Sequence, residues 1–293
     1  MNGHSEDCNI PAVGPCEPDF LCVGMEKAAT SWLFDQLRTH PDFWIPPIKE
    51  LRYLHTATPR MDSTSKLLAR LRQGRKRRLS ETDIAFIYEA EVLVRQPRDI
   101  EKYAALFRVK ANQISGDISP MYCVLGGEDI GSIASRFPNL KVILMVREPV
   151  ERAWSHICQH HRMGHFDLAL LADATEFGKW FENSKLKRAS MATRALQRWS
   201  EFAPSIPFRY YFFDQVALIP DVVRAEIITF LGGDPEKRSG ELPANYNHKA
   251  SASKLPLPQP IESVLVEQLA EEIRASARLF GGPAESWPAR HGL

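Results

Sequence analysis

The sequence predicts an α/β fold in which helices flank a central parallel sheet, and three observations carry that prediction. Short apolar runs with the look of buried strands stop at turns: Phe20-Leu21-Cys22-Val23 ends at Gly24, and Lys141-Val142-Ile143-Leu144-Met145-Val146 ends at Arg147. Each is followed by a helical signal. Thr30 or Ser31 can cap a stripe of Trp32, Leu33, Phe34 and Leu37 that His40-Pro41 stops, and Pro149 suits the first turn of a helix running on from Val150 to Arg162. The alternation then continues, with helices over Gly127 to Arg136, Arg188 to Phe202, Val222 to Leu231 before Gly232-Gly233, and Ile261 to Phe280, and a strand over Phe208 to Phe213. On parallel sheets of this kind ligands bind beyond the carboxyl ends of the strands.

The chain has 293 residues, 44% hydrophobic and 25% charged, which fits a folded protein with enough core to need no disulfide or metal staple. Residues 1–18 read as a flexible leader and 19–293 as one domain. Lys+Arg at 37 against Asp+Glu at 36 gives a net charge of +1, so neither a nucleic acid nor a membrane surface is an expected partner and any anion site must be local. The leader lacks the cationic start and apolar stretch of a secretion signal, and no run approaches the ~20 apolar residues of a membrane helix; a cytoplasmic protein is expected. Of the five cysteines (Cys8, Cys16, Cys22, Cys123, Cys158) no two form C-x-x-C, which argues for reduced thiols, with Cys8 and Cys16 able to pair only in an exported protein. Residues 56–112 read as a polar, helical lid or insertion, strongly basic from Arg70 to Arg78. A solvated surface or mobile loop is the ordinary reading of such a run; a patch for an anionic substrate and a nuclear-targeting signal are the alternatives.

Two junctions have the chemistry of anion sites. Gly24-Met25-Glu26-Lys27-Ala28-Ala29-Thr30-Ser31 combines close backbone approach, a mobile cation and hydroxyls opening a helix whose N–H groups favour an anion. It is not a Walker A loop, because Lys27 lies three residues before Thr30. Arg147-Glu148-Pro149-Val150-Glu151-Arg152-Ala153-Trp154-Ser155 puts an Arg at the end of a buried strand, where it must meet either an anion or an internal partner such as Glu148 or Glu151.

Together, G-x-x-K-x-x-T-S after the first strand and R-x-P-x-x-R-x-x-S after a central one resemble the sulfotransferases that use 3′-phosphoadenosine 5′-phosphosulfate (PAPS). The likeness runs from about Phe20 to Trp287. Lys49-Glu50-Leu51-Arg52-Tyr53-Leu54 is similar to the K-E-x-x-[FY]-F segment of the heparan-sulfate-type branch, and Gly116-Asp117-Ile118-Ser119-Pro120-Met121-Tyr122 to its G-E-K-[ST]-P-x-Y segment. Asn247 to Ser253 is similar to the late loop that closes over the nucleotide, and Phe280-Gly281-Gly282 with Trp287 to the terminal L-G-x-x-x-x-x-W. The resemblance implies a P-loop-like domain with Lys27, Ala28, Ala29, Thr30 and Ser31 on the 5′-phosphosulfate, Arg147 and Ser155 on the 3′-phosphate, Lys249 and Ser251 in the covering loop, and Glu50 as general base. Three positions depart from the pattern: Ala29 for Gly, Asp117 for Glu, and Met191 where a Tyr is frequent.

Sulfuryl transfer needs in-line positioning and cations to meet developing charge, so the resemblance makes Lys27 the stabiliser of the departing phosphate and Glu50 the acceptor of the substrate's proton. His55 is the rival base, and Lys49 could instead simply pair with Glu50. The implied acceptor is a hydroxyl or amine of a carbohydrate or small metabolite. No metal is implied, since His156, His160 and His161 lack the companions of a zinc site. A kinase using ATP and Mg²⁺, or a binding module built on the 70–78 run, are the competing readings; the first needs a Walker A loop, and the second predicts steep salt dependence.

Overall fold

The computed structural model describes residues 17–55, 79–237, 242–246 and 255–293. Four strands, β1 (Phe20–Gly24), β2 (Gly116–Ile118), β3 (Lys141–Val146) and β4 (Phe208–Phe212), form one parallel sheet in the order β2-β1-β3-β4. Phe20 is in register with both Gly116 and Lys141, and β3 pairs with β4 from Val142↔Phe208 to Val146↔Phe212. Every residue of β1 and all of β3 beyond Lys141 are buried, as expected of strands covered on both faces. Gly116 is dictated by contact: a Cβ there would lie 2.2 Å from the Phe20 carbonyl oxygen.

The helices are α1 (Thr30–Arg38), α2 (Glu81–Leu93), α3 (Ile100–Ala105), α4 (Gly127–Arg136), α5 (Pro149–Arg162), α6 (Ala174–Asn183), α7 (Lys185–Arg188), α8 (Ala192–Phe202), α9 (Phe213–Leu218), α10 (Pro220–Leu231), α11 (Gln259–Phe280) and α12 (Trp287–Arg290). The predicted α/β architecture is therefore present, with α4 and β3 at the predicted limits. Helix α10 closes as its sequence suggests, on Gly232 at φ 102°, whose N–H reaches the Ile228 and Thr229 carbonyls. The strand expected to run to Phe213 ends at Phe212, where α9 begins.

Three expectations are corrected. Neither Thr30 nor Ser31 caps α1; Ala29 occupies the cap in the left-handed region, and no side chain bonds the first turn. The helix expected from Arg188 to Phe202 starts only at Ala192, as α8, the short α7 before it ending at Arg188. The described part of the stretch 56–112 is solvated on one face only: Phe86, Ile87, Tyr103 and Phe107 are fully buried in the core while Tyr88 and Val92 are exposed, and Ser80 and Asp83 close a capping box on α2. The basic run 70–78, Cys8 and Cys16 lie outside the described residues. Cys22, Cys123 and Cys158 are buried free thiols. Among the described residues no helix is long and apolar enough to cross a membrane.

Because β1 sends the chain toward β2 on one side and β3 lies on the other, strand order reverses between β1 and β3. The segments leaving these two strands therefore flank the crevice where sheets of this type hold ligands.

Candidate active site

Beyond β1 the loop is fastened to its neighbour by the Met25 N–H, which donates to the Met145 carbonyl at 2.6 Å. It then turns through two left-handed residues, Lys27 at φ 71° and Ala29 at φ 72°, before α1 starts at Thr30. Lys27 Nζ donates to Gln159 Oε1 on α5 at 3.0 Å, and Ser31 Oγ accepts from Lys49 Nζ at 2.6 Å. Ala28 is packed into the core, so any ligand would meet its backbone rather than its methyl.

Arg147 leaves β3 buried. Its Nη1 donates to the Lys27 carbonyl at 3.1 Å, its Nη2 to Glu151 Oε2 at 2.9 Å, and its guanidinium carbon lies 4.2 Å from the centre of the Phe213 ring. Of the two internal partners weighed for it, Glu151 is therefore the one in place. Glu148 instead caps α5, accepting from the Val150 and Glu151 N–H groups at 3.0 and 2.6 Å. The Arg147 Nε is buried without a hydrogen-bond partner among the described residues, and such an orphaned donor is costly unless something else meets it. Ser155 follows on the same helix, buried.

The third part comes from the segment after Ile48. Glu50 and Arg52 both adopt left-handed backbone, φ 64° and 54°. The Arg52 N–H donates to Ser119 Oγ at 2.9 Å, and Ser119 in turn donates to Asp117 at 2.7 Å. Asp117 also accepts from Tyr122 at 2.6 Å and Tyr103 at 3.2 Å, and burial pushes its carboxyl up to about 6. This is what the Gly116-to-Tyr122 segment does: it anchors the backbone that carries Glu50. The Glu50 carboxylate lies 3.5 Å from Lys49 Nζ and accepts from Arg52, through Nε at 3.1 Å and also through Nη2.

Behind these groups runs a buried network that sequence reasoning missed. Arg52 Nη2 also donates to Glu26 Oε1 at 3.2 Å, and Glu26 Oε2 lies 3.2 Å from His156 Nε2. Arg152, fully buried, lies 3.2 Å from His156 Nδ1 and donates to Ser190 Oγ and the Leu186 carbonyl. Burial, with the Arg152 charge acting the same way, lowers His156 to about 2, so the ring is neutral. Since Arg152 can only donate, the ring proton sits on Nε2, facing Glu26. Burial, then the Glu50 charge, raises Glu26 above the usual carboxylate range; burial brings Arg152 down to about 10. A signal existed for part of this: Arg152, His156 and Gln159 recur at three to four residues along α5, one helical face.

A cavity of about 540 Å³ joins these parts. Lys27, Ala29, Thr30 and Ser31 line it from the loop, Arg147 and Ser155 from the β3–α5 junction, and Glu50 with Arg52 from the third segment. His55 is not among its lining residues, and Lys249 and Ser251 lie outside the described residues. Among the described residues no three His, Cys, Asp or Glu side chains are grouped to hold a metal. Chemically the cavity offers cations and hydroxyls to a polyanion, with the Glu26 and Glu50 carboxylates also on its wall.

A family model described as "Sulfotransferase family" matches residues 18–234. Among solved structures, the sulfotransferase from Alicyclobacillus acidocaldarius superposes with a TM-score of 0.63 at 20% identity, covering 92% of this chain and 98% of its own. The sulfotransferase domain of the Synechococcus PCC 7002 olefin synthase gives 0.51 at 16%, covering 93% and 97%. The sulfotransferase domain from the curacin biosynthetic pathway gives 0.54 at 14%, covering 92% and 99%. At these identities the likeness is one of fold. No curated protein sequence matches the chain.

Proposed function

The chain belongs to the sulfotransferase family, and on that premise we propose that it moves a sulfuryl group from PAPS to a hydroxyl or amine of a carbohydrate or small metabolite. The observation that carries the reading is the meeting of two cation-bearing strand-to-helix junctions and the Glu50 carboxylate around a single cavity at the carboxyl edge of the sheet.

On this reading Arg147 and Ser155 hold the 3′-phosphate, and the orphaned Arg147 Nε is a donor that such a ligand would satisfy. Lys27, the backbone of Ala28 and Ala29, and the hydroxyls of Thr30 and Ser31 cradle the 5′-phosphosulfate at the start of α1. Lys249 and Ser251 would cover the nucleotide. Glu50 takes the proton of the acceptor as its oxygen or nitrogen bonds to sulfur, while the bond from sulfur to the 5′-phosphate oxygen breaks. Lys27 meets the charge that collects on that phosphate. Glu50 is favoured over His55 as base because Glu50 lines the cavity.

The test needs no acceptor. Calorimetry with adenosine 3′,5′-bisphosphate, 5′-AMP and ATP–Mg²⁺ is expected to show tight binding of the bisphosphate alone. Arg147→Ala should weaken it by about 30- to 100-fold, the worth of a charged hydrogen-bond pair. Equal binding of 5′-AMP, or preference for ATP, would return the kinase reading. With an acceptor in hand, Glu50→Gln should lower transfer of ³⁵S label by about 10²–10⁴-fold, the usual contribution of a general base.

A further inference from the structure

Arg52 has an arrangement that the proposed chemistry does not yet use. Its guanidinium is shared between two carboxylates from different segments, Glu26 in the donor loop and Glu50 across from it, through Nε and Nη2. Among the described residues nothing accepts from Nη1. The side chain is 30% exposed and lines the cavity, so this edge of the fork is reachable by a ligand. Its backbone is fixed, left-handed at φ 54° and bonded to Ser119.

Of the cavity's other cations, Arg162 is exposed at the end of α5, and the remaining three are oriented by partners within the protein. Arg147 is stacked on Phe213 and bonded to Lys27 and Glu151, Lys27 reaches Gln159 on α5, and Lys49 sits on the Ser31 hydroxyl at the start of α1. An anion lying between the loop and Glu50 would face two carboxylates, an unfavourable field unless a cation turns an edge toward it. Arg52 is that cation, always charged, and its planar fork matches the oxygens of a sulfonate.

We infer that Arg52 binds the sulfuryl group of the donor through Nη1, with Glu26 and Glu50 holding the guanidinium in place, and so distinguishes loaded donor from spent bisphosphate. This rests on the donor reading above. Because the bisphosphate product lacks the sulfuryl group, the inference separates two ligands that differ only there.

The experiment is calorimetric titration of PAPS and of adenosine 3′,5′-bisphosphate, without acceptor, into the wild type, Arg52→Gln, Arg52→Lys and Glu26→Gln. Arg52→Gln should weaken PAPS by about tenfold or more, the worth of a charge-assisted bond, and leave the bisphosphate within about threefold. Arg52→Lys keeps the charge without the fork and should show a smaller loss, again confined to PAPS; it carries the test if Arg52→Gln does not fold. Glu26→Gln removes one of the two carboxylates that hold the guanidinium and should weaken PAPS relative to the bisphosphate, by less than Arg52→Gln does. Parallel loss of both ligands would assign Arg52 to holding the loop and overturn the inference, as would unchanged PAPS affinity. Failure of the wild type to bind either nucleotide would overturn the donor reading itself, and the inference with it.

Discussion

At the scale of single residues, the donor loop carries a conformational cost visible in its dihedral angles. A left-handed residue with a Cβ is disfavoured by about 1 kcal/mol or more, and Ala29 sits there at φ 72°. Ala29→Gly is expected to stabilise the protein by about 1 kcal/mol, seen as a rise in Tm of about 2 °C. Asp117 makes a pH prediction. Its folded carboxyl, raised by burial to about 6 from an ordinary 3.8, binds its proton more tightly than the unfolded chain does, so its contribution to stability falls as pH rises from about 4 to 6. That loss amounts to about 3 kcal/mol. His156 acts oppositely: held down to about 2, it takes a proton only on unfolding and lowers stability as pH drops below about 6.5. Denaturant melts of Asp117→Asn and wild type at pH 4, 5 and 6 should therefore diverge, the variant losing ground to wild type as the medium becomes more acidic. A pH-independent offset between the two would refute the assignment.

At the scale of elements, helix starts decide several boundaries. Sequence signals found α4 and β3 because an isolated amphipathic stripe and a continuous aliphatic run are local patterns. The start of α8 is not local. Buried Glu272, from the middle of α11, accepts the Thr193 N–H at 2.9 Å and its hydroxyl at 2.5 Å, fixing the first turn from a distance of 79 residues. No reading of residues 188–202 contains that partner, which is why the helix was expected to start at Arg188 rather than at Ala192. Glu272→Ala leaves both Thr193 donors buried without an acceptor and is expected to cost about 2–4 kcal/mol, while Glu272→Gln, which keeps one acceptor oxygen, should cost less; equilibrium denaturation separates the two. The start of α1 was misjudged for a related reason. Ser31, one of the two residues expected to cap the helix, has its oxygen engaged by Lys49, and Ala29 holds the cap position.

For the molecule as a whole, the fold was legible because two strand-to-helix junctions with matching chemistry had to lie side by side on a parallel sheet. The buried network was not, because Glu26, Arg52 and His156 come from three segments whose proximity only the tertiary fold creates. The C-terminal end shows the same dependence on distant packing. Trp287 is fully buried, 5.9 Å from the Phe212 ring with its indole N–H 3.4 Å from Asp214, so it ties α12 to the exit of β4. Trp287→Ala is expected to cost about 3–5 kcal/mol, by chemical denaturation. The sheet order also has a consequence for synthesis. Strand β1 is the central connector, yet its partners β2 and β3 follow it by roughly 90 and 120 residues, so at ~5–20 residues per second the nascent chain carries an unpaired, wholly apolar strand for about 5–25 s after β1 leaves the ribosome. Over that interval Phe20–Gly24 is a natural client for whatever shields exposed segments during translation, and slowing translation between β1 and β3 should lower the soluble yield more than slowing it after β4.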